Sequence, residues 1–352
     1  MKRFFVFLGV VLMTIGSAVS AQEVDSMAPL QKSSWGDAKT ADIAEYIPDI
    51  SLDMRGGYVQ DFAENAGRFC GDGLYLNVDG KICDSFSYSW NQSIAPAYGE
   101  FNSGFAETNW LLLTYEVGSF AFNAGKDALL VGSFEYNANT IDSYFDMNSM
   151  FYNMFDCWQW GVSAAWYPAE DQAVIAQVAN SPFSYDEPGL FSYSAAWQGA
   201  WDFYESYWTA NLWEFEEGKY TKALNFGNRF YLGDFTVDLE FMTRTYEMKG
   251  LFKDDYTALV APSYEWTWGR AFAKYGFEHI SDEIPYELAY DKGNYMFYGA
   301  GLEFFPLKEN KNVRIHAAWM GNTIGISTLD IGLTWKMDVT GSVRRIFGKS
   351  DN

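Results

Sequence analysis

From Ser51 to Met337 the sequence alternates apolar with polar or small residues, in segment after segment. A period of two sends successive side chains to opposite faces of an extended chain, so each segment reads as a β-strand with two unlike faces. Ser87, Ser89 and Asn91 point one way while Phe86, Tyr88 and Trp90 point the other. Farther on, Phe235, Val237, Leu239 and Phe241 oppose Thr236, Asp238 and Glu240, and Leu329, Ile331, Leu333 and Trp335 oppose Asp330, Gly332, Thr334 and Lys336. The segments run to about ten to twelve residues, twice a usual soluble strand and the length that crosses a bilayer at a tilt.

About sixteen such segments follow one another, starting near residues 50, 73, 84, 109, 119, 157, 171, 192, 205, 220, 234, 257, 270, 295, 312 and 327. An even number of consecutive amphipathic strands predicts an all-β fold, a transmembrane antiparallel up-and-down β-barrel over residues 49–338. Even-to-odd connections are short, as at residues 117–119, 232–234 and 269–270, whereas stretches such as 61–72, 95–108 and 281–294 read as longer loops on the other side. The connection over residues 127–156 is the longest. It carries Leu129, Val131, Phe134, Tyr136, Ile141, Tyr144 and Phe145, too apolar for a disordered segment, so this third external loop is expected to fold into the barrel and narrow it.

Composition agrees with membrane strands. Rings make up 19% of the chain, with 14 Trp, 24 Tyr and 29 Phe, an excess that aromatic girdles at two membrane interfaces account for. Lys2 and Arg3, the apolar stretch from Phe4 to Ile15 and the small residues ending at Ala21 read as a secretory signal over residues 1–21, too short to span a bilayer as a helix. Residues 22–48 read as a periplasmic lead-in and residues 339–352 as a C-terminal periplasmic tail, within which Phe347 either ends an extended strand or leaves Trp335 as an internal assembly signal. A net charge of −22 excludes nucleic acid as a partner. Cys70, Cys83 and Cys157 have no metal-binding spacing. The first two would sit about 40 Å apart on one strand, out of reach of a disulfide.

Residues 52–57 (LDMRGG), the run of residues 73–89 and residues 120–126 (FAFNAGK) resemble the phosphate-selective porin O and P family. The resemblance implies a sixteen-stranded trimeric barrel of the outer membrane, with an inward third loop and basic residues that draw anions along the path. The loop itself carries Asp127, Glu135, Asp142, Asp146 and Asp156 and neither Lys nor Arg, which sets an acidic constriction against the anion selectivity of that family.

Alternation assigns Arg55, Lys81, Arg229, Arg244 and Arg314 to the lumen wall, together with Lys274 and Lys336. Asp238 and Glu240 join them, with Asp53, Asp79, Glu278, Glu303 and Asp330, so the wall is close to charge-balanced. Such a wall either tunes the passage of ions and small polar solutes or merely fills a wet interior with paired polar groups. Asp127, Glu135, Asp142 and Asp146 are the expected constriction residues. The chain has only two histidines, His279 and His316, and no nucleophile elbow, metal-binding helix or phosphate-binding glycine loop, so neither an enzyme nor a cofactor or metal is expected. The reading is therefore passive diffusion through a porin of the cell outer membrane. A plugged adhesive barrel binding a partner through its external loops stays open as an alternative, and a barrel lipid hydrolase is the remotest.

Overall fold

The computed structural model describes residues 47–94, 108–138, 140–145, 149, 157–183, 189–246, 255–281, 292–308 and 310–347. Its first eight strands are β1 (Asp49–Asp61), β2 (Ala66–Cys83), β3 (Phe86–Ser93), β4 (Thr108–Val117), β5 (Phe120–Ala128), β6 (Trp158–Ala169), β7 (Gln172–Asn180) and β8 (Phe191–Trp201). The second eight are β9 (Tyr204–Glu216), β10 (Lys219–Leu232), β11 (Phe235–Thr245), β12 (Asp255–Trp266), β13 (Gly269–Ile280), β14 (Gly293–Phe304), β15 (Val313–Asn322) and β16 (Ser327–Asp338). Each pairs antiparallel with its sequence neighbours, and β1 pairs with β16, from Ser51 opposite Asp338 to Asp61 opposite Thr328, closing the barrel. Closure leaves no strand edge unpaired, the condition for a sheet in hydrocarbon.

The two faces separate as the alternation predicts. Val162, Leu239, Leu302, Ile331 and Leu333 are 44–59% exposed on the outside, while Asp53, Arg55, Glu240, Arg314 and Asp330, of the opposite parity, are buried inside. Rings gather outside near the short turns: Phe86 meets Tyr115 at 4.7 Å between centroids, Trp201 stacks on Tyr204 at 5.7 Å, and Trp266 meets Trp268 at 5.2 Å. Such rings put an apolar body in lipid and a polar edge in water, which locates one membrane interface at this turn end.

Two-residue hairpins close most of the turn end, as between Leu232 and Phe235, where Gly233 takes φ +68°. A hairpin this tight needs left-handed backbone, which glycine adopts without a Cβ clash. The expected rule of short turns on one side and long loops on the other holds only in part. Residues 61–72 are not a loop, because β2 starts at Ala66 and pairs with β1 up to Asp61 opposite Ala66. Glycines and polar residues in this stretch hide the period, but the backbone ladder runs on past a bulge beside Arg55 and Gly56. At the loop end β9 and β10 are joined by only two residues, whereas at the turn end β14 and β15 are joined by residues 305–312.

After Asp338 the chain forms helix α1 (Val339–Phe347), so Phe347 belongs to no strand. Thr340 ties α1 to the closing seam: its Oγ1 accepts the N–H of Ile50 at 2.9 Å and donates to the Pro48 carbonyl at 3.0 Å. None of the three cysteines forms a disulfide among the described residues, and Cys70 and Cys83 both lie on β2.

Candidate functional site

The connection after β5 runs inward, and its first half is held by apolar packing. Leu129, Val131 and Tyr136 form a buried cluster with Trp110, Trp158, Trp213 and Met242, all inside the barrel. Complete burial of side chains such as Leu129 and Val131 is worth about 1.5–3 kcal/mol each, enough to draw the segment off the surface. Gly132 brings the loop backbone against the wall: a Cβ there would lie 2.6 Å from the Tyr207 carbonyl oxygen and 2.9 Å from that of Asn225. At that level a ladder of inward polar side chains serves the loop backbone. Gly132 donates to Thr209 Oγ1 at 3.0 Å, Asn211 Nδ2 donates to the Leu130 carbonyl at 2.6 Å, and Leu130 donates to Gln177 Oε1 at 3.0 Å. These bonds satisfy backbone groups that would otherwise be buried without partners.

The second half crosses the bore and is held by charge. Glu135 accepts from Lys274 Nζ of β13 at 2.9 Å, and its own N–H donates to Glu240 Oε1 of β11 at 2.9 Å. Asp142, in a single 3-10 turn (Thr140–Asp142), accepts from Arg314 of β15 and from Lys336 Nζ of β16, the latter at 2.7 Å. Burial alone would raise the Asp142 pKa, but Arg314 and Lys336 outweigh it and hold the carboxyl well below the usual carboxylate range. Tyr144 donates to Glu303 of β14 and stacks on His316 at 4.1 Å between centroids; burial, with Glu303 and Asp142 nearby, pushes its phenol up. Arg55 of β1 completes the crossing, donating through Nη1 to the Ser143 carbonyl at 2.5 Å. From β5 to β1 the loop thus spans the interior, pinned on both sides.

Of the expected constriction residues, Glu135 and Asp142 lie inside the bore, each joined to basic wall residues. Asp127 is the penultimate residue of β5, not part of the loop, and accepts the N–H of Ala128 at 2.7 Å. Asp146 lies outside the described residues, as does Asp156. Among the expected wall residues, Arg55 and Arg314 hold the loop directly, and Glu240 does so through the Glu135 backbone. Arg229 forms a two-pronged pair with Asp238 at 2.6 and 2.8 Å and lies over the Phe134 ring of the loop at 4.3 Å. Arg244 is fully buried near the loop end of β11, in register with Asp255, and Lys81 is exposed near the turn end of β2. The alternation did not single out Thr209, Asn211 or Gly132; the nearest sequence signal is the recurrence of Ser194, Asn211 and Asn225 at inward positions of three consecutive strands.

Between the loop and the inner faces of β10–β13 lies a cavity of about 730 Å³, extending to the turn end. Phe134, Tyr144, Phe145 and Phe272 give it an aromatic side; Arg229, Asp238, Glu240, Arg270 and Lys274 give it charge. No cluster of three or more metal-ligand side chains occurs among the described residues.

A model of the family described as phosphate-selective porin O and P matches residues 59–205, from within β1 to the start of β9. The match includes two of the three resembling runs and starts just past the third, residues 52–57. No curated protein sequence matches the chain. Among solved structures, the outer membrane channel DcaP of Acinetobacter baumannii is similar with a TM-score of 0.63 at 10% identity, over 84% of this chain and 99% of that one. OmpT of Vibrio cholerae, in its trimer form, is similar with a TM-score of 0.57 at 11% identity, over 83% and 99%. A porin refined at 1.8 Å gives a TM-score of 0.56 at 10% identity, over 83% and 100%. The chain is a closed sixteen-stranded barrel of the porin fold, and over residues 59–205 it matches the sequence pattern of the phosphate-selective porin O and P family.

Proposed function

We propose that the protein is a porin: a passage for small hydrophilic solutes and ions across an outer membrane, narrowed by the loop between β5 and β6. The observation that carries this reading is the loop itself. Its residues cross the bore from Leu130, bonded to β7, to Ser143, bonded to β1, and leave a cavity lined by charged and aromatic side chains. A wall meant only to fill space would close on itself. Here a water-filled remainder with fixed charges selects by size and polarity. Lys274, Arg314 and Lys336 are engaged by the loop carboxylates Glu135 and Asp142, and Arg229 by Asp238 of the wall, so the reading is of a narrow, charge-balanced path and not of a phosphate filter.

On this reading the turn end with helix α1 faces the periplasm, residues 1–21 are removed on export, and the barrel assembles as a homotrimer. The trimer form of the similar OmpT structure supports the last point. The protein is read as having no catalytic role: His316 sits between Asp330, at 3.1 Å, and the Tyr144 ring, and His279 pairs with Asn294 at 2.7 Å. Swelling of proteoliposomes in a series of neutral sugars tests the function. Uptake should fall steeply with sugar size; no swelling with the smallest sugar would reject a porin in favour of a plugged barrel.

A further inference from the structure

The cavity beneath the loop has an acidic side chain left over. At its inner end Arg229 is matched by Asp238 and Lys274 by Glu135. Glu240, 5% exposed, has no cation: Oε1 takes the Glu135 N–H, Ser133 bonds the carboxyl as well, and Oε2 has no hydrogen-bond partner among the described residues. A buried carboxylate oxygen without a donor costs more than one that finds it, so the site is complementary to a group bringing N–H bonds and positive charge. At the outer end of the same cavity stand Arg270, Lys308 and Lys311, of which Lys308 has no ion pair among the described residues. Phe134, Phe145 and Phe272 border the space between.

We propose that this cavity is a binding subsite for solutes carrying a primary ammonium together with an apolar body. The ammonium docks on Glu240, and the apolar body lies against the rings, toward the Lys308 and Arg270 end. The cavity, at about 730 Å³, takes one such solute with its water. This inference rests on the porin reading and extends it from size sieving to recognition. An ammonium brings an N–H donor and positive charge to Glu240 Oε2, whereas a carboxylate solute brings neither, so the site discriminates by charge as well as by shape.

Three probes with one skeleton test it: phenylalanine, phenethylamine and 3-phenylpropionate, each added to the turn-end side of single channels in planar bilayers. Phenylalanine and phenethylamine should interrupt the current with at least tenfold longer residence than 3-phenylpropionate. Glu240→Gln should remove that preference by shortening the interruptions by phenylalanine and phenethylamine, with no shortening of those by 3-phenylpropionate, while Glu240→Asp should keep part of it. Equal interruption by all three probes, or a preference that survives Glu240→Gln, would overturn the proposal. If Glu240→Gln fails to insert, covalent capture decides the point: carbodiimide activation of wild-type Glu240 should let docked phenethylamine displace the urea and form an amide, read by mass spectrometry of that peptide, and no adduct counts against the subsite. Channels that conduct normally but ignore the probes reject the subsite alone, whereas protein that never conducts rejects the porin reading beneath it.

Discussion

Glu135 and Lys274 meet at 2.9 Å although 139 residues separate them, one on the loop that crosses the bore and the other on β13 of the wall. Both side chains are more than nine-tenths buried, and with Asp142 between Arg314 and Lys336 they fix the second half of the loop at two places. Two buried charge clamps on an apolar anchor hold one conformation where a solvated loop would have many. The loop is thereby part of the wall.

Asp142→Asn leaves Arg314 and Lys336 without their shared carboxylate. Breaking a buried pair from one side costs about 3–5 kcal/mol, and the partial exposure of this cluster places the effect at about 2–3 kcal/mol of loop docking. The variant should show noisier current and a reversal potential shifted toward anion preference in a salt gradient. Unchanged reversal potential and noise would show that the clamp does not bear on the path.

The acid sensitivity of the loop has a definite sign. Asp142 has a depressed pKa when docked, so its contribution is present above the pKa of the undocked carboxyl and is lost as pH falls through the docked value. A free Asp titrates near about 3.9, so docking should persist at pH 4 and fail only in stronger acid. Conductance recorded from pH 7 downward should stay level through that point; a transition near pH 5 would contradict the clamp.

Gly132→Val should displace the anchor, because no rotation moves a Cβ away from the Tyr207 and Asn225 carbonyls. Overpacking against backbone costs about 1–3 kcal/mol, so the variant barrel should fold yet conduct in larger and less uniform steps. Steps identical to wild type would place the loop away from the wall.

On the outer face, Ile331→Arg puts a charge in mid-strand on β16, among side chains facing lipid. Near the bilayer midplane this costs about 2–4 kcal/mol. Asp330→Asn, one residue away and inside, avoids that penalty. Urea unfolding in liposomes should separate the two; equal loss would mean that the faces are reversed.

Much of the barrel is legible in the sequence because period-two alternation is a local property of each strand. Phe235 to Glu240 and Leu329 to Lys336 assign their faces without knowledge of any partner. β2 is the exception: its first residues, from Ala66 to Gly71, lie on a stretch rich in glycine and polar side chains, where only backbone pairing with β1 reveals a strand. The inward course of the third loop is legible from Leu129, Val131, Tyr136 and Ile141, since apolar side chains at this density need a place to be buried. Which wall residues receive it is not. Asp142 finds Arg314 and Lys336 across 172 and 194 residues, a pairing set by barrel closure and not by anything near it in sequence. For the same reason the acidic loop reads as a free negative constriction in sequence, while in the fold Glu135 and Asp142 are both spoken for.

The central claim is that a narrowed aqueous path runs through the barrel, and single-channel conductance in planar bilayers tests it most directly. The purified protein should give discrete ohmic steps, and a variant with residues 129–145 replaced by a short glycine-serine linker should give markedly larger ones. A silent wild-type barrel, or steps indifferent to removal of the loop, would contradict the account.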